Sequence, residues 1–352
     1  MASPKFSPMA SLKLGILSTA RINERCVLQV TPRISGVSLL AVASRSEEAA
    51  RDYSLKHAIP RFYGGYDALL ADPDVDAVYI PLPNALHIEW TRRALSSGKH
   101  VLCEKPMSAD ASEVLAIREL AQSKNLYVAE AMHYRHHPVL RDVVSAIHGG
   151  VVGEVEELEV SFVWNLRNKG DIRLRPELDG GALMDVGCYC LNFIRWITRD
   201  QQPRVTEAHA EWSETGVDIA LNATLFCSER TRASFHCDLS AEAFECWAKI
   251  SGSRGSLLLR YPFLPVVLES QQGEEEILFS CKAEDGKELS IDVPARTSYF
   301  YQLQNFRDLV GSGHFAESDG PASRSLTDAF YNAALIAEIR DRVRKSGPVD
   351  NV

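Results

Sequence analysis

Five short apolar runs recur through the first 130 residues, and a helical pattern fills each gap between them. The runs are Leu12–Leu17, Ser38–Ala43, Ala77–Pro81, Val101–Cys103 and Leu126–Ala129. The helical stretches are Asn23–Val30, Ser46–Lys56, Ala85–Ser97 and Asp110–Ser123. Strands that alternate with helices pair in parallel, since each crossover returns the chain to the same end of the sheet, and the helices then cover both faces. The helix ends agree. Ser46 precedes Glu47 and Glu48, which suit the positive end of a helix, and Gly98 follows Ser97 where a helix stops. The alternation therefore confines the chain to the α/β class, with a doubly wound parallel sheet at its N-terminal end.

The texture changes after Gly149-Gly150. Val152–Trp164, Val205–Trp212, Asp218–Cys227, Thr231–Leu239, Cys246–Ser251 and Ser256–Leu259 read as strands separated by short turns, which predicts a largely antiparallel sheet. Helices are expected near Gly187–Ile197 and Tyr299–Gly311, with a long one, Ser325–Lys345, closing the chain. A flexible arm over 1–11, a first domain over 12–132 and a second over 133–352 account for the 352 residues.

Net charge −9 and the lack of a basic stripe argue against nucleic acid as a partner. No apolar run is long enough for a membrane span, and the opening MASPKFSPMAS has no apolar segment of a secretory signal, so a cytoplasmic protein is expected. The eight cysteines are scattered through apolar runs without a C-x-x-C, which reads as reduced packing residues and no metal site.

Chemistry in open α/β sheets gathers at the carboxyl ends of the strands. After the first strand the turn Ser18-Thr19-Ala20-Arg21-Ile22 is small and polar, with Ser18, Ala20 and Asn23 where a dinucleotide turn usually carries glycine. The second strand ends in Ser44-Arg45-Ser46. That corner offers a guanidinium and no carboxylate for a ribose diol, which favours the 2′-phosphate of NADP over NAD. The strand Val101–Cys103 stops at Glu104-Lys105-Pro106, a charged pair that a buried strand does not need.

Two motifs bring a resemblance. "VYIPLPNALHIEW" with "ALSSGKHVLCEKPMSA", and "GGALMDVGCYCLNFIRW" some 80 residues later, resemble the glucose–fructose oxidoreductase / inositol dehydrogenase / MocA family. The resemblance implies a Rossmann domain followed by an α/β domain with an open sheet, hydride transfer between a nicotinamide and a carbinol or carbonyl carbon, and a dimer or higher homo-oligomer formed through that sheet. It carries Lys105, Asp185 and Tyr189 over as the active-site group. It places the nicotinamide near Pro81, Pro83, Asn84 and His87, with Glu104 beside them holding Lys105 or a backbone amide. "AMHYRHHP" resembles the family's crossover segment and offers Arg135 and His136 to the substrate. Asn165, Asp171 and Arg173 of "NLRNKGDIR" suit a loop over a hydroxylated ligand. On this reading Tyr189 exchanges the substrate proton and the Lys105 ammonium lowers its pKa. Tyrosine at position 189 resembles the aldose dehydrogenase, dihydrodiol dehydrogenase and sugar-ketoreductase branches. A non-catalytic NADP-binding regulator on the same fold is the rival, opposed by the joint presence of Lys105, Asp185 and Tyr189.

Overall fold

A computed structural model describes residues 11–228, 230–268, 275–283, 291–313 and 321–345. The arm expected over 1–11 lies outside these residues except for Ser11. The first layer runs β1 (Leu12–Leu17), a short π turn (Glu24–Leu28), β2 (Val37–Ser44), α1 (Glu47–His57), β3 (Arg61–Gly64), α2 (Tyr66–Leu70), β4 (Ala77–Ile80), α3 (His87–Ser96), β5 (His100–Cys103), α4 (Ala111–Lys124) and β6 (Val128–Glu130). Its strands are all parallel, in the order β3-β2-β1-β4-β5-β6. The order reverses between β1 and β4, so a crevice opens at their carboxyl ends. All four residues of β4 are fully buried, as a central strand under two helix layers requires. Burial of a side chain such as Val78 or Ile80 contributes about 1.5–3 kcal/mol.

The caps form as the sequence implies: Ser46 accepts from Ala49 N–H at 3.3 Å and Asp110 from Ser112 N–H at 2.8 Å. Gly98 takes a left-handed φ of +76° at the turn after α3.

The second layer continues with α5 (Pro138–His148), β7 (Val155–Asn165), a π turn (Leu183–Gly187), α6 (Cys188–Thr198), β8 (Arg204–Trp212), β9 (Asp218–Cys227), β10 (Thr231–Asp238), β11 (Ser240–Gly252), β12 (Gly255–Arg260), β13 (Val266–Leu268), β14 (Glu275–Ile277) and β15 (Ser280–Ala283). Seven strands form one sheet in the order β15-β12-β11-β7-β10-β9-β8. Its pairs are antiparallel except β7 with β10, which are parallel. The helical turns of α5 and α6 cover one face of this sheet and bury Val143, Ile147, Phe193 and Ile194 against it.

Two last helices, α7 (Ser298–Ser312) and α8 (Pro321–Lys345), return to the first layer. Leu303, Phe306 and Val310 of α7 join the core beneath β1. Leu326, Ala329 and Ala333 of α8 join the core on the opposite face, while Leu335, Ile336, Ile339 and Val343 belong to the core of the second sheet. All eight cysteines are buried free thiols.

Candidate active site

The π turn before α6 widens the helix at Asp185 and delivers Tyr189 to its first turn; such turns recur at functional sites. Its approach needs two glycines. A Cβ on Gly180 would lie 2.3 Å from Arg173 O, and one on Gly181, at φ +115°, 2.1 Å from Asp218 Oδ1. Asp218 uses that proximity to accept from Leu183 N–H at 2.6 Å and holds the helix start.

Lys105 leaves the end of β5 and crosses to this turn. Its Nζ donates to Asp185 O at 2.6 Å and to Asp185 Oδ1 at 3.2 Å, and lies 5.1 Å from the Tyr189 ring centroid. The other carboxylate oxygen accepts from Trp164 Nε1 at 3.2 Å and sits 2.9 Å from Arg173 Nε. That Arg173 nitrogen is not aligned as a hydrogen bond, so it acts through its charge. Arg173 is held in turn by Asp171, 3.1 Å from Nη1. Asp185 thus lies between two cations. Burial works against its charge, but Lys105 and Arg173 prevail and keep its carboxyl below the usual aspartate range. Burial also works against the Lys105 ammonium, and Asp185, Cys188 and Glu104 reverse this and lift its pKa above the ordinary lysine value. The ammonium therefore persists across neutral pH.

Tyr189 differs from expectation. Its ring is packed by Phe162, Phe263 and His133 at centroid distances of 5.5, 5.5 and 5.6 Å. Burial, reinforced by Tyr299 and Glu104, pushes the phenol well above its ordinary value instead of lowering it. The lysine faces the ring and spends its hydrogen bonds on Asp185, which is why its charge does not prevail. The neutral phenol is a proton donor.

Glu104 turns inward. It accepts from Tyr79 OH at 2.5 Å and from Lys105 N–H at 3.3 Å, so it holds the lysine's own backbone. Burial raises its pKa, and Lys105 only partly offsets this. Tyr79 escapes a reading by periodicity because it stands among aliphatic residues of β4; a hydroxyl in a fully buried strand is the available signal. Trp164 is the other residue the motifs do not reveal.

At the end of β1, Ser18 adopts φ +148°, a conformation open to glycine and costly for a side chain. Its hydroxyl folds back, accepting from Ala20 N–H at 3.0 Å and reaching Pro81 O at 3.4 Å. Asn23 is fully buried, donates to Ser18 O at 2.9 Å and leaves Oδ1 without a hydrogen-bond partner among the described residues. Thr19, Ala20 and Ile22 are half-buried and Arg21 is exposed. At the end of β2, Ser44 is half-buried and Arg45 is exposed, without a hydrogen bond or ion pair among the described residues. The folded-back serine, the crevice at the sheet reversal and this free guanidinium fit a dinucleotide with a 2′-phosphate.

Other expected residues are engaged elsewhere. His87 is buried, with Nδ1 2.8 Å from Pro106 O and Nε2 2.8 Å from Leu82 O; it ties two strand ends together and does not face the crevice. Pro81 is buried and Pro83 half-buried at that corner. Asn84 donates to Asp179 O at 2.8 Å and straps the two layers. Arg135 pairs with Asp328 and lies over Trp196, and His136 meets Asn305 Nδ2 at 3.0 Å, so both serve the junction with α7 and α8. Asn165 is half-buried at the end of β7. Among the described residues no three His, Cys, Asp or Glu side chains converge as a metal site, and no helix is long and apolar enough to cross a membrane.

Comparison with known proteins places the chain in a family. Residues 12–132 match the oxidoreductase family GFO/IDH/MocA, NAD-binding Rossmann fold, and residues 140–258 match a GFO/IDH/MocA C-terminal domain. D-xylose 1-dehydrogenase (NADP(+)) 2 of Haloferax volcanii is 31% identical over 327 residues, covering 92% of this chain and 97% of that one. The dTDP-3,4-didehydro-2,6-dideoxy-α-D-glucose 3-reductase of Streptomyces violaceoruber is 36% identical over 346 residues, covering 96% and 95%. A 3-ketoreductase from Actinomadura kijaniata, solved with NADP and TDP-benzene and also as tyrosine and lysine variants, superposes with a TM-score of 0.82 at 26% identity, over 94% of this chain and 98% of its own.

Proposed function

The chain belongs to the GFO/IDH/MocA oxidoreductase family, and from that premise we propose that it is an NADP-dependent dehydrogenase of a sugar or sugar-like carbinol, first of all an aldose 1-dehydrogenase acting on D-xylose or a similar aldose. The observation that carries this reading is the Lys105–Asp185 pair set against the Tyr189 ring at the mouth of the crevice. When bound, NADP supplies the hydride acceptor. The turn Ser18–Ile22 and the corner Ser44-Arg45 hold its phosphates, with Pro83 and Glu104 near the nicotinamide end. Lys105 is oriented by Asp185 and presents a fixed positive charge to the substrate oxygen. Tyr189 holds a proton on its phenolic oxygen at neutral pH, so it donates when a carbonyl is reduced. In the oxidative direction the phenol first releases that proton to solvent, and its oxygen then accepts the carbinol proton, which makes the rate rise with pH. Asp171 and Arg173 act behind Asp185 and hold its charge in place.

A 3-ketoreductase of a nucleotide-linked sugar is the second reading. Lys105 and Tyr189 are 84 positions apart, the separation of the lysine and tyrosine substituted in the Actinomadura enzyme. A homo-oligomer through the second sheet, where Trp212 and Phe226 stay exposed, belongs to the same proposal; a concentration-independent monomer in sedimentation overturns that part. The deciding experiment is NADPH formation at 340 nm with a panel of aldoses and diols. Turnover of D-xylose or a related aldose supports the first reading. No turnover of any panel member, alone or in the reverse direction with keto sugars, overturns both and returns the protein to the non-catalytic class.

A further inference from the structure

β11 does not run evenly along β7. Ser240 pairs with Asn165 and Glu245 with Val163, so the four residues 241–244 face only Trp164. A bulge of this kind re-aims side chains, and it lies at the strand end that carries Trp164 to the active site. Its product is Phe244, 45% exposed, on the same side of β11 as the buried Cys246, Ala248 and Ile250. Phe244 therefore faces the helix layer where Tyr189 sits, not the outer face of the sheet.

A second irregularity meets the first. Tyr261 follows β12 with a left-handed φ of +53°, which is unfavourable for an aromatic residue, and its N–H donates to Cys246 O at 2.7 Å. The two rings lie parallel within 9°, centroids 5.9 Å apart. Phe162 connects them to the reacting group: its ring meets Phe244 edge-on at 6.2 Å and Tyr189 at 5.5 Å. Phe263 packs on both Phe162, at 5.1 Å, and Tyr189, at 5.5 Å. An aromatic wall thus runs from the catalytic phenol to a stacked pair whose outer ring, Phe244, is exposed. Strained backbone of this sort persists where the surroundings over-determine it, typically at ligand clamps. Core packing accounts for Tyr261, which is half-buried against the core of the second sheet, but not for Phe244, which keeps nearly half its surface in solvent.

We propose that Phe244 and Tyr261 form a specificity subsite for the flat apolar face of a ring, carried on the substrate one ring beyond the carbinol that reacts at Tyr189. The proposal rests on the dehydrogenase reading for the direction in which the substrate lies. A flat ring face comes from an aryl substituent or from the CH face of a second sugar.

The test is calorimetric and does not require turnover. Wild-type protein with saturating NADPH, which cannot accept hydride, is titrated with 4-O-methyl-D-xylose, 4-O-phenyl-D-xylose and xylobiose, all of which keep the C1 carbinol free. Stacking on an exposed aromatic face gives about ten-fold tighter binding of the phenyl ether than the methyl ether. Phe244→Ala removes that ratio and Phe244→Tyr, which keeps the ring, retains it. A matching gain for xylobiose identifies a second sugar as the ring; a gain confined to the phenyl ether identifies an aryl group. Equal affinities in the wild type, no binding of either ether, or a ratio that survives Phe244→Ala overturns the subsite. Failure of the 340 nm screen, read separately, overturns the dehydrogenase reading and leaves the affinity ratio measurable.

Discussion

Asp185→Asn removes one charge and little volume from a site where two cations face one carboxylate. Lys105 and Asp185 side chains are 13% and 12% exposed and their charged atoms are 3.2 Å apart. With an effective dielectric of about 20, the attraction at that distance is about 5 kcal/mol before any other group is counted. Breaking a buried pair from one side typically costs about 3–5 kcal/mol, because the remaining charge stays desolvated. Here Lys105 loses its carboxylate partner and Arg173 keeps only Asp171, so we expect Asp185→Asn to lose at least about 3 kcal/mol of stability. Lys105→Met should lose less, since Asp185 still has Arg173. The double variant should be more stable than the sum of the two single losses implies, with a coupling of at least about 1.5 kcal/mol. Urea unfolding of the four proteins, followed by tryptophan fluorescence, measures it. The pH dependence of kcat/KM gives an independent reading. Asp185 is the first of the groups that lift the Lys105 pKa, and burial opposes them. Without Asp185 the burial prevails, the lysine titrates below its ordinary value, and an alkaline fall in kcat/KM appears in the variant. Additive stabilities together with an unchanged pH profile would refute the reasoning.

Tyr189→Phe keeps every ring contact, so thermal stability should hold while kcat falls at least about 10²-fold and the alkaline rise of the oxidation rate disappears; an unchanged profile assigns the proton transfer to another group. Replacing Ser44 with Asp and Arg45 with Ala should move the ratio of kcat/KM for NADP over NAD toward NAD, chiefly through the KM for cofactor; an unmoved ratio shows Arg45 to be only a solvated side chain. Burial lowers His100, His136 and His137 to about 4 and His133 to about 3, so the stability they confer is present above about pH 6.5 and is lost as pH falls through those values. Glu130, raised to about 7, and Asp218, raised to about 6, act in the opposite sense, since what they confer is present at low pH and lost as pH rises through 6–7. The balance is about two protons taken up on unfolding near pH 5, or about 2–3 kcal/mol per pH unit. Urea midpoints that stay flat between pH 4.5 and 6 would contradict it.

The elements most readable in the sequence are those with a clear burial pattern: β1 and the helix α6, buried almost throughout, and β9, which alternates, fall within a residue or so of their expected bounds. The segment Arg61–Leu70 escaped because β3 and α2 are four and five residues long, too short for either period to show. α5 begins at Pro138 directly after a helical turn, and its apolar face reads as continuation of the crossover segment. The parallel pairing of β7 with β10 is a matter of topology that alternation in one strand does not encode. For the site, the motifs located Lys105, Asp185 and Tyr189 together, but not what surrounds them. Whether a tyrosine gains or loses acidity depends on its burial by Phe162 and Phe263, residues distant in sequence. Arg135 and Arg173 are both arginines beside polar neighbours in the sequence; only the fold shows that Asp328 takes the first and Asp185 the second.

A single helix of 25 residues, about 37 Å long, lends its first half to one hydrophobic core and its second half to the other. Neither half of the molecule is therefore a self-sufficient folding unit, although the first 132 residues read like one. A fragment ending there would leave the apolar faces seen by α7 and α8 open to water, and a fragment beginning there would carry helices with nothing to dock on. Both cores close only once α8 is in place, and melting by heat should sever both layers in one transition. Exchange of substrate-recognition modules between relatives would succeed only where the graft keeps α8 with both of its cores.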